Sequence, residues 1–132
     1  MNTMTNFLKT KTLNACLGIA VQSWPTTMYL AAYTTATTNA GGGTEVVGGS
    51  YARQVIAFGA PTIVSLQALT SNTAIINFPV ATASWGTVTH IAIMDALTGG
   101  NMLYHGAVTA PKAIASGDQL RVMASDFKVY QN

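Results

Sequence analysis

Val88-Thr89-His90-Ile91-Ala92-Ile93-Met94-Asp95, then Thr98-Gly99-Gly100-Asn101, then Met102-Leu103-Tyr104-His105-Gly106-Ala107-Val108: this succession reads as strand, reversal, strand. Both outer runs have strand length and are rich in residues that suit a pleated surface. Paired glycines supply positive φ where antiparallel strands reverse, and Asn101 bonds readily to nearby backbone in such a turn. Alternation puts His90 on one face with Val88 and Ala92.

The same pattern extends in both directions. Met28-Tyr29-Leu30-Ala31-Ala32-Tyr33 is strand-like, with Tyr29, Ala31 and Tyr33 sharing a face. In residues 51–58, Tyr51, Arg53, Val55 and Ala57 oppose Ala52, Gln54, Ile56 and Phe58. Further strands are expected over residues 63–69, 73–80, 119–125 and 127–130, with turn signals at Ser71-Asn72, Ser84-Trp85-Gly86 and Ser116-Gly117-Asp118. Trp85-Gly86 reads as a corner, its indole covering a core where glycine lets the chain turn. Residues 34–50, with Gly41-Gly42-Gly43 and Gly48-Gly49, read as a long, flexible surface loop. No helical crossover separates the strands, which disfavours a parallel sheet.

The one expected helix covers residues 5–17, with Thr5 or Asn6 as its cap and Gly18 as its stop. Phe7, Leu8, Leu13, Cys16 and Leu17 form an apolar side, and a helix this short has to dock on something. The expected fold is therefore mainly β: an antiparallel β-sandwich, jelly-roll or Ig-like, of seven to eight short strands with one short N-terminal helix. One domain fills residues 1–132, with a helical arm over 1–18 and the sandwich over 26–132.

Only 8% of the 132 residues are charged, against about 25% in ordinary soluble domains. Wetting of the surface must then rest on Thr, Ser, Asn and Gln, or other subunits must cover it. An assembled state is favoured, because so few charges give little repulsion. The six cations (Lys9, Lys11, Arg53, Lys112, Arg121 and Lys128) are dispersed, so no nucleic-acid partner is expected. Lone Cys16 rules out an intramolecular disulfide and a cysteine zinc cluster. Residues 13–21 loosely imitate a signal peptide, but the run is short and carries Asn14 and Gly18. No stretch reaches the roughly 20 apolar residues of a spanning helix, so no membrane role is expected.

Titratable groups are too few for most chemistry. His90 and His105 read as strand histidines that bond locally or face solvent, and no G-x-S-x-G elbow accompanies them. His90 and Asp95 lie an odd number of residues apart and would point to opposite faces. Asp95, Asp118 and Asp126 have no EF-hand spacing. No enzyme activity, metal or cofactor is expected. Gly41-Gly42-Gly43 lacks the Lys-Ser/Thr of a phosphate loop. Glu45 and Arg53 flank Gly48-Gly49 and can pair across a turn; an exposed pair of this kind contributes about 0–1 kcal/mol. Trp24, Trp85, Tyr29, Tyr33, Tyr51, Tyr104 and Tyr130 are more consistent with packing than with a sugar-binding platform, which stands as the second reading.

One combination of short motifs is specific as a set. It runs from Phe7-Leu8 and Trp24-Pro25 through Gly43-Thr44-Glu45-Val46 and Gly48-Gly49-Ser50-Tyr51-Ala52-Arg53-Gln54. Asn77-Phe78-Pro79, Trp85-Gly86-Thr87-Val88-Thr89-His90, Gly99 through Gly106 and Ser116-Gly117-Asp118 complete it. On these residues the chain resembles small bacteriophage structural proteins of the tail-fibre type, over nearly its whole length. The resemblance implies a virion component assembled in the host bacterial cytoplasm and carries no catalytic residues with it. A compact β unit suits a capsid cement or decoration protein as well as a small fibre-type component; a carbohydrate- or host-receptor-binding β-module is the alternative. The expected partners are further copies of the chain, a trimer among the candidate states, and major capsid or tail proteins. Phe7, Leu8, Leu13, Leu17, Glu45, Tyr51 and Arg53 are the candidate assembly contacts.

Overall fold

The computed structural model describes residues 3–131; Met1, Asn2 and Asn132, the outermost residues of the expected arm and sandwich, lie outside them. In chain order the elements are β1 (Thr3–Met4), α1 (Asn6–Cys16), β2 (Met28–Tyr33), β3 (Gln54–Ile56), β4 (Thr62–Val64) and β5 (Gln67–Ser71), then β6 (Ile76–Asn77), β7 (Gly86–Met94), β8 (Met102–Ile114), β9 (Arg121–Val122) and β10 (Lys128–Gln131). They form antiparallel sheets in the orders β1-β8-β7-β2-β3, β10-β5-β4 and β6-β9. The protein is mainly β, with one helix, in the manner of a small sandwich.

The β7–β8 hairpin is the spine. Its turn is closed by Asp95, whose carboxylate accepts from the Asn101 backbone N–H at 2.6 Å and side-chain amide at 3.0 Å. Gly99 and Gly100 take φ of 60° and 73°. Strand β8 runs on to Ile114, well past the expected end at Val108, through Pro111. It can do so because, between the pairs His90↔Ala107 and Val88↔Lys112, β8 carries residues 108–111 where β7 has only Thr89, a bulged stretch that contains the proline. The same irregularity corrects the alternation expected for β7. Val88 reaches the main core with Ile91 and Ile93, whereas His90 lies opposite Tyr33 on the other face of the sheet.

Further expectations change: of residues 73–80 and 119–125 only the two-residue strands β6 and β9 form, paired with each other. Residues 63–69 are not one strand but the β4–β5 hairpin, reversing at Ser65-Leu66, a pair that carries no glycine or asparagine signal. Of residues 51–58 only Gln54–Ile56 form a strand, and Arg53 is buried like Ile56 although simple alternation opposes them. The hairpin split and the short β1 before the helix bring the β elements among the described residues to ten.

The main core lies between the sheets, built from Leu30, Ile56, Phe78, Trp85, Ile93, Leu103, Phe127 and their neighbours. Tyr51, Phe78 and Trp85 form its aromatic centre, with ring centroids 5.4–6.3 Å apart. Trp85 occupies the expected corner: Gly86 has φ 81°, and the indole N–H donates to Gly49 O at 2.9 Å. Gly49 is required there, since its φ is 58° and a Cβ would fall 2.8 Å from that indole nitrogen. Asn72, expected only as a turn residue, is fully buried. Its amide donates to Ala74 O and Met123 O while its oxygen accepts from Phe127 N–H, so it ties the C-terminal segment to β5.

The second face of the five-stranded sheet has its own small cluster of Ala31, Tyr33, Ala92, Met94 and Met102, with Tyr29 against it. The pairing of Tyr29, Ala31 and Tyr33 on one face is thus as the sequence indicates. Truncating Trp85 to Ala should cost about 3–5 kcal/mol, as aromatic-to-Ala changes in a core do. Urea denaturation measures this, and a loss below about 1 kcal/mol would show that the indole does not organise the core.

Candidate interaction surface

Residues 34–50 return on β2. Thr34 N–H donates to Thr44 O at 2.9 Å, Val46 N–H donates to Ala32 O at 3.0 Å, and Tyr33 bridges Glu45. Within the loop, Thr35 Oγ1 accepts from Thr44 N–H and Thr38 Oγ1 from Gly42 N–H. The stretch expected as a plain surface loop therefore buries Thr37 and Val46.

Glu45, Tyr51 and Arg53 converge. Arg53 Nε and Nη2 donate to the two Glu45 oxygens at 2.8 and 2.7 Å, and Arg53 Nη1 donates to Ala96 O and Gly99 O at 2.7 and 2.8 Å. Tyr51 Oη donates to Glu45 Oε1 at 2.9 Å and accepts from Ala32 N–H at 3.0 Å. The exposed pair expected from the sequence is instead a buried fork, with Arg53 only 8% exposed. Its neighbours correct the reading: carbonyls from a turn more than 40 residues away complete the guanidinium's shell. The Glu45 hydrogen bonds raise the Arg53 pKa, against the opposing effect of burial. Burial, partly offset by the Ala32 N–H, pushes the Tyr51 phenol well up, so it stays protonated and donates.

His105 corrects a second expectation. It neither bonds locally nor faces solvent: Nδ1 lies 2.8 Å from Thr37 Oγ1, and Nε2 lies 2.8 Å from Asn39 Oδ1. An amide oxygen only accepts, so Nε2 carries the proton and Nδ1 accepts from the threonine. Burial first, then the nearby His90 and Lys9, lowers the His105 pKa, which favours this neutral form. Asn39 O also accepts from Asn6 N–H, so the loop joins β8 to the helix start.

The helix begins where expected. Thr5 Oγ1 caps it by accepting from Leu8 N–H and donates to Met102 O at 2.6 Å, and Gly18 takes φ 64° just beyond its end. Of the expected apolar side, however, only Leu8 is buried. Phe7, Leu13, Leu17 and Cys16 face outward, and the segment that follows adds exposed Ile19, Val21 and Trp24. Lys11 Nζ stands 5.6 Å from the Phe7 ring centroid and 5.2 Å from that of Trp24, beside a cleft of about 420 Å³. The candidate contacts thus fall into two groups: an exposed arm (Phe7, Leu13, Leu17, with Leu8 as its root) and an internal node (Glu45, Tyr51, Arg53). Sequence reasoning missed Val47 and Leu97, exposed beside the node, because they sit in glycine-rich turns without periodicity. Trp85, Tyr33 and Tyr51 are committed to the interior, leaving Trp24 as the aromatic most open to solvent.

Among the described residues no three His, Cys, Asp or Glu side chains gather to hold a metal, and no helix is long and apolar enough to cross a membrane. What the molecule offers is a β scaffold, an internally anchored loop and an exposed apolar arm. The chain belongs to the family of the podophage GP4 fiber I protein gp80, whose family model matches residues 3–130, and is thus a phage fibre-type structural protein. No curated protein matches it.

Removing one partner of the fork strands a desolvated charge, so Glu45→Ala should lower stability by about 3–5 kcal/mol. Arg53→Lys should lose most of that as well, because an ammonium cannot reproduce a planar fork shared among one carboxylate and two carbonyls. An Arg53→Lys variant within about 0.5 kcal/mol of the parent in urea melts would show that the fork is dispensable.

His105 gives a pH signature. Its folded pKa lies below the ordinary value of 6.5, so the unfolded chain binds the proton more readily. Its contribution is complete above about pH 6.5 and is lost as the pH falls toward the folded value. The urea midpoint should drop between about pH 7 and pH 5, and His105→Asn should flatten that slope. An unchanged slope in the variant would assign the titration elsewhere.

Proposed function

We propose that the chain is a non-enzymatic structural subunit of the virion, built as one unit over residues 1–132, which docks through its N-terminal arm and repeats on the particle as a small homo-oligomeric fibre-type component. The family match over residues 3–130 carries this reading and favours a tail-fibre role over capsid cement. The exposed apolar arm supplies the means of attachment to a tail or capsid protein, since Phe7, Leu13, Leu17, Ile19 and Val21 are all exposed within one short segment of the chain. The Glu45–Tyr51–Arg53 node takes part indirectly: it fixes the loop and turn from which Val47 and Leu97 project. Assembly takes place in the host bacterial cytoplasm.

Deleting the arm is not a clean test, because Leu8 belongs to the core and Thr5 bonds to β8. Replacing Phe7, Leu13 and Leu17 together by Ser leaves those anchors intact. Mass spectrometry of purified particles should show incorporation reduced by about tenfold or more, with the circular dichroism spectrum of the free protein unchanged. Normal incorporation would remove the arm from the contact. Copy number in the parent particle separates the two locations: a handful of copies favours the tail, hundreds the capsid.

A further inference from the structure

The β4–β5 hairpin presents an edge that no other described element covers. Strand β4 is outermost in the order β10-β5-β4, and its three residues are all exposed, Ile63 at 74%. The reversal places Ser65 and Leu66 at φ 49° and 67°, left-handed geometry that Asn-Gly adopts at least cost. Leu66 is nevertheless 94% exposed, so it combines backbone strain with an apolar side chain in water and contributes little to the stability of a lone chain. Natural sheet edges are usually guarded by charge, a bulge or proline. Here residues 54–94 contain no Lys, Arg, Asp or Glu, and Pro61, two residues before Ile63 and so on the same side of the strand's backbone, removes one N–H from the open edge and confines its free ladder to Ile63.

The register shows what the edge can accept. Val64, Ile63 and Thr62 lie opposite Gln67, Ala68 and Leu69. In a two-residue hairpin the residues flanking the turn form a hydrogen-bonded pair, and such pairs alternate along the ladder. Thr62 and Val64 therefore direct their backbone groups to β5, and the N–H and C=O of Ile63 point to the open side. We propose that β4 pairs with β4 of a second copy, antiparallel about a twofold axis through Ile63, joining two three-stranded sheets into one of six. An uncharged, short edge of this kind is complementary to itself, as a twofold contact requires. The pairing brings Val64 beside the second copy's Thr62 and carries Leu66 to the level of its Ala60, which removes from water the side chain that the strained turn exposes. This inference rests on the self-association included in the proposed function and assigns it a surface.

Sedimentation equilibrium of the full chain tests it, together with an Ile63→Cys variant in a Cys16→Ser background. Two Ile63 residues in a hydrogen-bonded pair lie with Cα atoms about 5.5 Å apart, within disulfide range. The expected result is a reversible dimer, a disulfide between the two introduced thiols on mild oxidation of the Ile63→Cys variant, and a dissociation constant raised at least about tenfold in Ile63→Lys. Leu66→Gly should raise the thermal midpoint while weakening association, which keeps the test open if the lysine variant folds poorly. A chain monomeric at every concentration would overturn self-association altogether. An oligomer that forms no disulfide in the Ile63→Cys variant and ignores Ile63→Lys would keep self-association and overturn the β4 edge.

Discussion

The fork between Arg53 and Glu45 is the constraint on which the loop geometry depends. A glycine-rich stretch such as 34–50 has little apolar surface with which to fix its own path, and conformational entropy opposes any single path. Glu45 gives it one. Because Arg53 is buried, its guanidinium must be matched, and only the arrangement that brings Glu45, Ala96 O and Gly99 O together does so. Closing the fork draws Val46 into the core and sets the far end of the β7–β8 hairpin against the start of β3. A hydrophobic substitute can equal such a pair in stability, but it would not select among the many closures open to such a loop; here the ion pair specifies geometry.

The same closure explains how both faces of the five-stranded sheet are covered. Antiparallel sheets commonly leave one face to water and mark it with charged residues. This chain has six cations and four carboxylates in all, so its second face carries Ala31, Tyr33, Ala92, Met94 and Met102 instead. The loop lies against the rim of that cluster, with Thr37 and Asn39 meeting the two nitrogens of His105 and Gly43 packed on Tyr33. Every buried side-chain polar atom among the described residues has a partner, so the scarcity of charge does not leave the interior with unmet hydrogen bonds.

What was legible in the sequence was local. The capped helix, the strand at Met28–Tyr33, the reversal at Thr98–Asn101 and the Trp85-Gly86 corner all announce themselves through residues within a few positions of each other, whereas the closure of that reversal by the Asp95 carboxylate does not. What was not legible was non-local or lacked its usual signal. The β4–β5 turn uses Ser65-Leu66 where Asn-Gly would have been read at once. Strand β8 runs past the expected end at Val108 and through Pro111, because a bulged stretch absorbs the proline and shifts the face of β7 at Val88 and His90. Glu45 and Arg53 were recognised as a pair, but their burial depends on carbonyls from residues 96 and 99, and no spacing rule anticipates that. His105 likewise takes its partners from a loop 66 and 68 residues away.

The distribution of what remains outside then bears on function. With Phe78, Trp85, Leu30 and Ile114 filling the interior, the large apolar residues still in water are not scattered evenly. One set lies on α1 and the segment after it, and another on the β4 hairpin, while few charges anywhere on the surface oppose association. Helix α1 is rooted by Leu8 and Thr5 and so presents Phe7, Leu13 and Leu17 in a fixed direction, and β4 presents a backbone edge in a fixed register. Preorganised apolar surface lowers the entropic cost of docking, and two such surfaces on one small subunit allow one to hold a neighbouring copy while the other holds the particle. If both proposed contacts form, the twofold β4 contact closes a pair of subunits and leaves the arm of each free for the particle.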